Sequence, residues 1–457
     1  MSQFFDWAFT QNTTAPAIEI GPCCSALLSA LSSKVSFAGS AEYTSSLASY
    51  YSFQVPDAAP LCIVSPDTAE DVSAIVEILA ITASSLSNSE KPLCQFAIRS
   101  GGHMDFESNI NGGVTIDLRA LNAISLNEDR SLASIGVGAT WDEIYNYLDP
   151  LGLSVNGGRA AGVGVGGLTL GGGISYTSPR YGFTCDSVRN FQIVLANGSI
   201  VDAKNDPDLL IALRGGISNF GIVTRVDMDA FEQCQIEAFI KFNSQDTYDE
   251  YASQIFIFAY TAIMGVIPIN LIVNEIEYTK AESNPPIFEP IMSLPRYCNS
   301  MRLANMSALA FEGGGAQPKS LCLSEVKSVS GITWSISLEP LPPAIYTKGA
   351  NSNSLGLSGR KKPLVIMLLT AGFKYASDKA KVEEISRKLV SDIKEEAQKQ
   401  SAYDPWIYLN YAAPWQDPIS SYGEASLELL REVRKRVDPF EVFTHGVPGG
   451  FKIKDDV

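Results

Sequence analysis

Histidine is almost missing from this chain: there are two in 457 residues, His103 and His445. The eight cysteines form no C-x-x-C pair and no Cys/His cluster at zinc spacing, which excludes a structural metal site. Positive charge is also short, with 34 Lys and Arg against 50 Asp and Glu, for a net charge of −16. Such a surface repels phosphate backbones and no basic stripe offsets it, so nucleic acid is excluded as a partner. No apolar run reaches the ~18–20 residues that cross a bilayer, so no membrane span is predicted. The first residues, MSQFFDWAFTQNTT, lack a basic region followed by an apolar one, and no signal peptide is read there. The expected setting is cytoplasmic; the sequons at Asn12, Asn197 and Asn305 leave a secretory or vesicular one open. Oligomeric state is not readable.

What is present is an ordered globular composition, 46% hydrophobic and 18% charged. The length exceeds one core, so two domains are expected. Up to about residue 230, short β-rich runs alternate with helical stretches. PLCIVSPDTAEDVSAIVEILAI reads as a strand, a turn at Pro66, and a helix. Thr68 and Asp71 form its capping box, and Val72, Ile75, Val76 and Leu79 its apolar face. QFAIRS reads as a strand, TWDEIYNYLDPLG as a short helix, and FQIVLANGSIVDA as a hairpin turned at Asn197-Gly198. Beyond Phe231 the strands lengthen, in IPINLIVNEIEYT, GITWSISLEP and PLVIMLLTAGFKY. A helix over DKAKVEEISRKLVSDIKEEAQ carries Val382, Ile385, Leu389 and Ile393 on one side. This pattern predicts a large antiparallel sheet covered by helices. NSNSLGLSGRKKP reads as an exposed polar loop.

Two glycine-rich segments stand out, RSGGH at Arg99–His103 and NGGRAAGVGVGGLTLGGG at 156–173. Gly164, Gly166 and Gly167 come near G-x-G-x-x-G, but no apolar helical run follows them, which speaks against a Rossmann site. No P-loop motif exists. Glycines at such density permit close backbone approach, with N–H groups free to hold a pyrophosphate. One such segment alone need only make tight turns. Two of them, one ending in a rare histidine, point to a dinucleotide gripped from both sides.

In order along the chain, RSGGH, GGVTIDL, GVGVGGLTLGGG, SPRYG, LRGGISNFGIVT and NYA resemble the FAD-linked oxidases of the berberine-bridge-enzyme-like group. That group belongs to the vanillyl-alcohol-oxidase flavoprotein superfamily, and the likeness is nearest to its fungal branch. It covers nearly the whole chain. The resemblance implies a two-domain α+β fold: an FAD-binding domain at 1–230, completed by 405–457, and a substrate domain at 231–404 built on a large antiparallel sheet. It implies FAD joined covalently through its 8α-methyl carbon to His103. Many relatives hold a second tether, a cysteine, at the position matched here by Ala160. Alanine has no nucleophile, so a single covalent bond is expected.

By the same match, Arg99, Ser100, Gly101, Gly102 and Met104 belong to the first cofactor loop. Gly158, Gly162, Val163, Gly164, Gly166 and Gly167 would approach the ring system and phosphates, with Ile222 and Val223 near the adenine. Val163 falls where the family gates oxygen access, and valine there resembles the oxygen-reactive members. Family members place Tyr408 and Tyr411 of the Tyr-x-Asn-Tyr motif at the substrate, with Asn410 beside the cofactor. On a strand, Tyr408 and Asn410 would face one way and Tyr411 the other. Tyr408 is the expected base, and packing of both tyrosines between domains is the alternative. Cys24 and Cys62 match a disulfide of secreted relatives, Cys23 being an adjacent substitute; unpaired buried thiols are the other reading.

The expected activity is FAD-dependent oxidation of a small organic molecule, a secondary-metabolite intermediate, with oxygen as the final acceptor. Alternatives are a carbohydrate oxidase of the same family, or a flavin-scaffold enzyme catalysing isomerisation or cyclisation without net redox change. Departures from the family are Met104-Asp105 after the histidine, where Ser-Tyr is common, and Leu168.

Overall fold

The computed structural model describes residues 20–52, 58–104, 108–232, 240–241, 249–250, 252–263, 267–278, 282, 285–288, 329 and 332–455. The sequons at Asn12 and Asn305, Asp105, Cys234, Cys298 and Cys322 lie outside them.

The first sheet is small and mixed. Strands β1 (Val35–Ser36), β2 (Cys62–Val64), β3 (Phe96–Arg99) and β4 (Val114–Asp117) take the order β1-β2-β4-β3, with β2 and β3 both parallel to β4. Parallel neighbours need a crossover. It comprises the Ala69–Ser85 helix, whose Thr68–Asp71 capping box and buried Val72, Ile75, Val76 and Leu79 match the sequence pattern. The preceding helix Pro22–Ala30 is stapled to this sheet by disulfides Cys24–Cys62 and Cys23–Cys94. The first is the pair the resemblance implied; the second was not foreseen. Each closes a chain loop, typically worth about 2–4 kcal/mol.

The second sheet is antiparallel. It runs β5 (Ile124–Leu126), β6 (Leu132–Gly136), β10 (Ile222–Glu232), β8 (Val188–Val194), β9 (Ile200–Asp202), with β7 (Leu153–Val155) also on β10. The Asn197-Gly198 turn joins β8 to β9 as expected, Gly198 having φ +79°. A two-stranded pair, β11 (Ile240–Lys241) and β12 (Asp249–Glu250), leads to the long antiparallel sheet β14-β13-β15-β16. Its strands are β13 (Ala252–Ile263), β14 (Ile267–Tyr278), β15 (Thr333–Leu341) and β16 (Leu364–Gly372). The Lys379–Lys399 helix packs on this sheet, Val382 sharing a small core with Trp334 and Val329 while Ile385 and Leu389 pack against it.

The chain then returns. Leu409, Ile419, Leu430, Phe443 and Ile453 are buried in the core that serves the first two sheets. Phe96 N–H donates to Gly446 O, and Asn219 donates to Phe451 O. One sequence reading fails here. In the segment taken as an exposed loop, Leu355 and Leu357 are buried, and Leu355 O accepts from the Trp406 indole at 2.8 Å. Its leucines outweigh its serines. Among the described residues, no helix is long and apolar enough to cross a membrane.

Candidate active site

The two glycine segments meet backbone to backbone. A Cβ placed on Gly101 would fall 2.5 Å from Gly164 N, and one on Gly164 would fall 2.3 Å from Gly101 N. No other residue fits either position. Ser100 locks the junction: its Oγ donates to Val137 O at 2.6 Å and accepts from Gly166 N–H at 3.2 Å. At Gly167 a Cβ would meet nothing within 4 Å. Beyond this junction opens a cavity of about 750 Å³, lined by Ser100–Met104, Val163, Gly164, Gly166 and Gly167, and by Ile222 and Val223.

His103 is exposed to that cavity, and the protein mass around it holds the imidazole below its ordinary pKa. That shift favours the neutral ring, the form a nucleophile needs. Ala160 also lines the cavity, whereas Cys185 is fully buried elsewhere.

Three residues expected at the cofactor are not among those that line the cavity. Arg99 is fully buried. It donates to Ser46 O at 2.6 Å and Ser49 Oγ at 2.8 Å, lies 3.7 Å over the Tyr50 ring, and faces Asp117 at 3.6 Å. A buried guanidinium needs such partners; they occupy Nη1 and Nη2, while the buried Nε has no hydrogen-bond partner among the described residues. Gly158 packs under Trp141, where a Cβ would lie 2.4 Å from Cδ1. Gly162, at φ +75°, turns its N–H to Asp142 Oδ1 at 2.7 Å. A further difference is the short Val165–Leu170 helix, which starts within the glycine run where no helix was expected. It is six residues long, too short for a periodicity to register.

Another part of the cavity lining is polar. Glu339, on β15, accepts from Arg159 Nη2 at 3.0 Å on both carboxylate oxygens and from the Tyr411 hydroxyl at 2.8 Å. Arg159 Nη2 also donates to Tyr411 Oη at 2.8 Å. Burial alone would lower the Arg159 pKa, but the Glu339 charge holds it well above the ordinary value. Burial, then Glu339, pushes the Tyr411 phenol well up. Tyr408 is also pushed up by burial, and accepts from Asn410 Nδ2 at 3.1 Å. At rest both tyrosines are protonated.

Leu409–Tyr411 form a 3-10 turn, not a strand. The turn brings both tyrosine rings to the cavity, 4.8 Å apart and edge to face, where a strand would have split them. Asn410 donates to Leu168 O at 3.0 Å, tying this turn to the glycine segment. Arg159 and Glu339 were missed from sequence. Signals existed: Arg159 is the sole charged residue in 156–173, and Glu339 is an acid on the same strand face as Ser335 and Ser337. His445 is on the surface, bonded to Glu441.

A model of the FAD binding domain family matches residues 60–204. An FAD-dependent monooxygenase of Cochliobolus heterostrophus is 32% identical over 473 residues, spanning 90% of this chain and 88% of that protein. An oligopeptidase of Diaporthe leptostromiformis is 38% identical across 92% of this chain, which spans only 36% of that protein's length. Among solved structures, 6-hydroxy-D-nicotine oxidase from Arthrobacter nicotinovorans superposes with a TM-score of 0.69 at 19% identity, covering 93% of this chain and 98% of that one. Xylooligosaccharide oxidase from Myceliophthora thermophila, in complex with xylobiose, gives 0.67 at 20%, covering 94% and 100%. At such identities the solved structures speak for the fold alone.

Proposed function

The chain belongs to the fungal branch of the berberine-bridge-enzyme-like FAD-linked oxidoreductases, and on that premise we propose that it oxidises a small, largely apolar hydroxyl-bearing molecule with dioxygen as final acceptor. FAD supplies the hydride acceptor. The glycine junction fits that group: backbone N–H groups, no side chains in the way at Gly167, and a neutral His103 facing the cavity. Ser100, Gly101, Gly102, Met104, Val163, Gly164, Gly166, Gly167, Ile222 and Val223 would hold it, with His103 as its single covalent tether because Ala160 offers no thiol.

The observation that carries the reading is one cavity with His103 at one wall and Arg159–Glu339–Tyr411 at the other. A substrate hydroxyl at Tyr411 can pass its proton to the phenol oxygen while the phenol proton moves to Glu339. Glu339 is thus the base and Tyr411 the relay. Arg159 holds the carboxylate in place through both of its oxygens. This favours Tyr411 over Tyr408, whose hydroxyl meets Asn410 and, among the described residues, no carboxylate. Met367, Leu369 and Phe373 beside Val382 and Val390 give the cavity an apolar stretch, which favours a largely apolar substrate over a carbohydrate. A relative bearing a monooxygenase name supports a second reading, in which one oxygen atom enters the product.

The test is anaerobic mixing with candidate hydroxylated aromatics, followed by labelled dioxygen. Flavin bleaching with all label in peroxide supports oxidation, and label in product supports the second reading. Turnover without bleaching would sink both and leave an isomerase or cyclase. Two disulfides also support an oxidising compartment over a cytoplasmic one. Alkylation of Cys23, Cys24, Cys62 and Cys94 in denatured, unreduced protein would count against it.

A further inference from the structure

We propose that Tyr51 is the positioning residue that presents the His103 imidazole for flavin attachment, an inference that rests on His103 being the tether. Histidines that act at a chosen ring nitrogen are normally oriented by a hydrogen bond to the other. Here, among the described residues, no hydrogen bond reaches either His103 nitrogen. Its ring partner is Tyr51, with centroids 4.2 Å apart and planes tilted by 31°.

Tyr51, though 63% exposed, is tied to the same loop through its backbone. Its N–H donates to Gly102 O at 3.2 Å, one residue before His103. Its neighbour Tyr50 donates its hydroxyl to Ser108 O at 2.7 Å, on the loop's far side. Tyr50 in turn lies under the buried Arg99, which is anchored on Ser46 and Ser49. Gly102, at φ +74°, has no room for a Cβ, which would stand 2.8 Å from the Tyr50 ring. The Tyr50-Tyr51 pair therefore clamps both flanks of the loop and lays one aromatic face on the imidazole. That explains what the buried Arg99 does: it holds the clamp, and the clamp holds the histidine. A tilted ring at this distance restricts the imidazole's two side-chain torsions while leaving both nitrogens available, one to form the bond and one to exchange a proton.

Attachment joins an imidazole nitrogen to the flavin 8α-methyl carbon. The imidazole N–H and one methyl C–H break, and the two protons and two electrons released pass to dioxygen as hydrogen peroxide. Tyr51 touches none of these bonds; it governs how often the nitrogen faces the methyl carbon.

The experiment follows covalent loading after FAD is added to protein from riboflavin-starved cells. Flavin fluorescence of the acid-denatured chain reports attachment, and total FAD retained before denaturation reports binding. Because the Gly102 contact uses the Tyr51 backbone, Tyr51→Ala removes the ring alone. It should slow attachment about three- to tenfold with binding retained, and Tyr51→Phe should restore the wild-type rate. Wild-type attachment in Tyr51→Ala overturns the proposal, and so does Tyr51→Phe as slow as Tyr51→Ala. Should Tyr51→Ala fail to fold, Tyr51→Leu against Tyr51→Phe decides in the same way. Wild-type protein that binds FAD without any covalent fraction brings down the His103 tether, and this proposal with it.

Discussion

The two walls of the cavity are built on different principles. The wall around His103 is made of backbone: Gly101 and Gly164 touch main chain to main chain, and Ser100 ties them with one hydroxyl. The wall around Tyr411 is made of side chains, an arginine, a carboxylate and two phenols drawn from three distant stretches of sequence. On the proposed reading the backbone wall holds the cofactor. A side-chain wall can be changed one residue at a time, and so carries the choice of substrate. Mutations in the two walls should therefore separate cofactor loading from turnover.

The largest effect is expected on the side-chain wall. Glu339→Gln keeps the shape and one acceptor for Arg159 but removes the base. Turnover should fall by about 10²- to 10⁴-fold, the usual worth of a general base, while flavin content stays at the wild-type level. Tyr411→Phe should follow it closely, and Tyr408→Phe should cost less. Flavin loss in Glu339→Gln in proportion to the lost turnover would break the separation. Tyr408→Phe as inactive as Glu339→Gln would return the base to Tyr408.

The backbone wall should respond in the opposite sense. Gly101→Ala forces a Cβ to within 2.6 Å of Gly164 Cα, where no side chain can swing aside. Parting the loops should cost on the order of 1–3 kcal/mol of stability and most of the FAD binding, read by thermal melting and by flavin content. Whatever fraction still loads should turn over at nearly the normal rate. Full loading in this variant would mean that the junction is not the cofactor cradle.

The same contrast decides what the sequence disclosed. Glycine spacing, the capping box at Thr68 and Asp71, and the lone His103 are local signals, and each structural consequence lies within a few residues of its cause. Arg99, Gly158 and Gly162 carried the right motif but do not line the cavity, because a motif fixes neighbourhood and not direction. Glu339 and Arg159 are 180 positions apart, and nothing local couples them. Tyr408 and Tyr411 were found, yet their relation was misjudged, since alternation applies to a strand and the chain makes a 3-10 turn there. The buried Leu355 and Leu357 were hidden by the serines and glycines around them.

The smallest effect tests how far the side-chain wall extends. Trp415 lines the cavity beyond the Tyr411 turn, and Arg387 of the Lys379–Lys399 helix sits 4.7 Å over its ring. Arg387 is itself paired with Glu383 one helical turn earlier, at 2.5 Å. Neither residue is bonded to Arg159 or Glu339, so removing Arg387 leaves that hydrogen-bonded pair in place, frees the indole and unpairs Glu383, which also lines the cavity. An exposed cation–π contact is worth about 0.5–1 kcal/mol. Arg387→Ala should therefore raise KM about two- to fivefold at near-constant kcat, and Arg387→Lys should recover part of it. A fall in kcat with KM unchanged would place Trp415 with the chemistry, and the side-chain wall would then act as one unit from Glu339 to the cavity mouth.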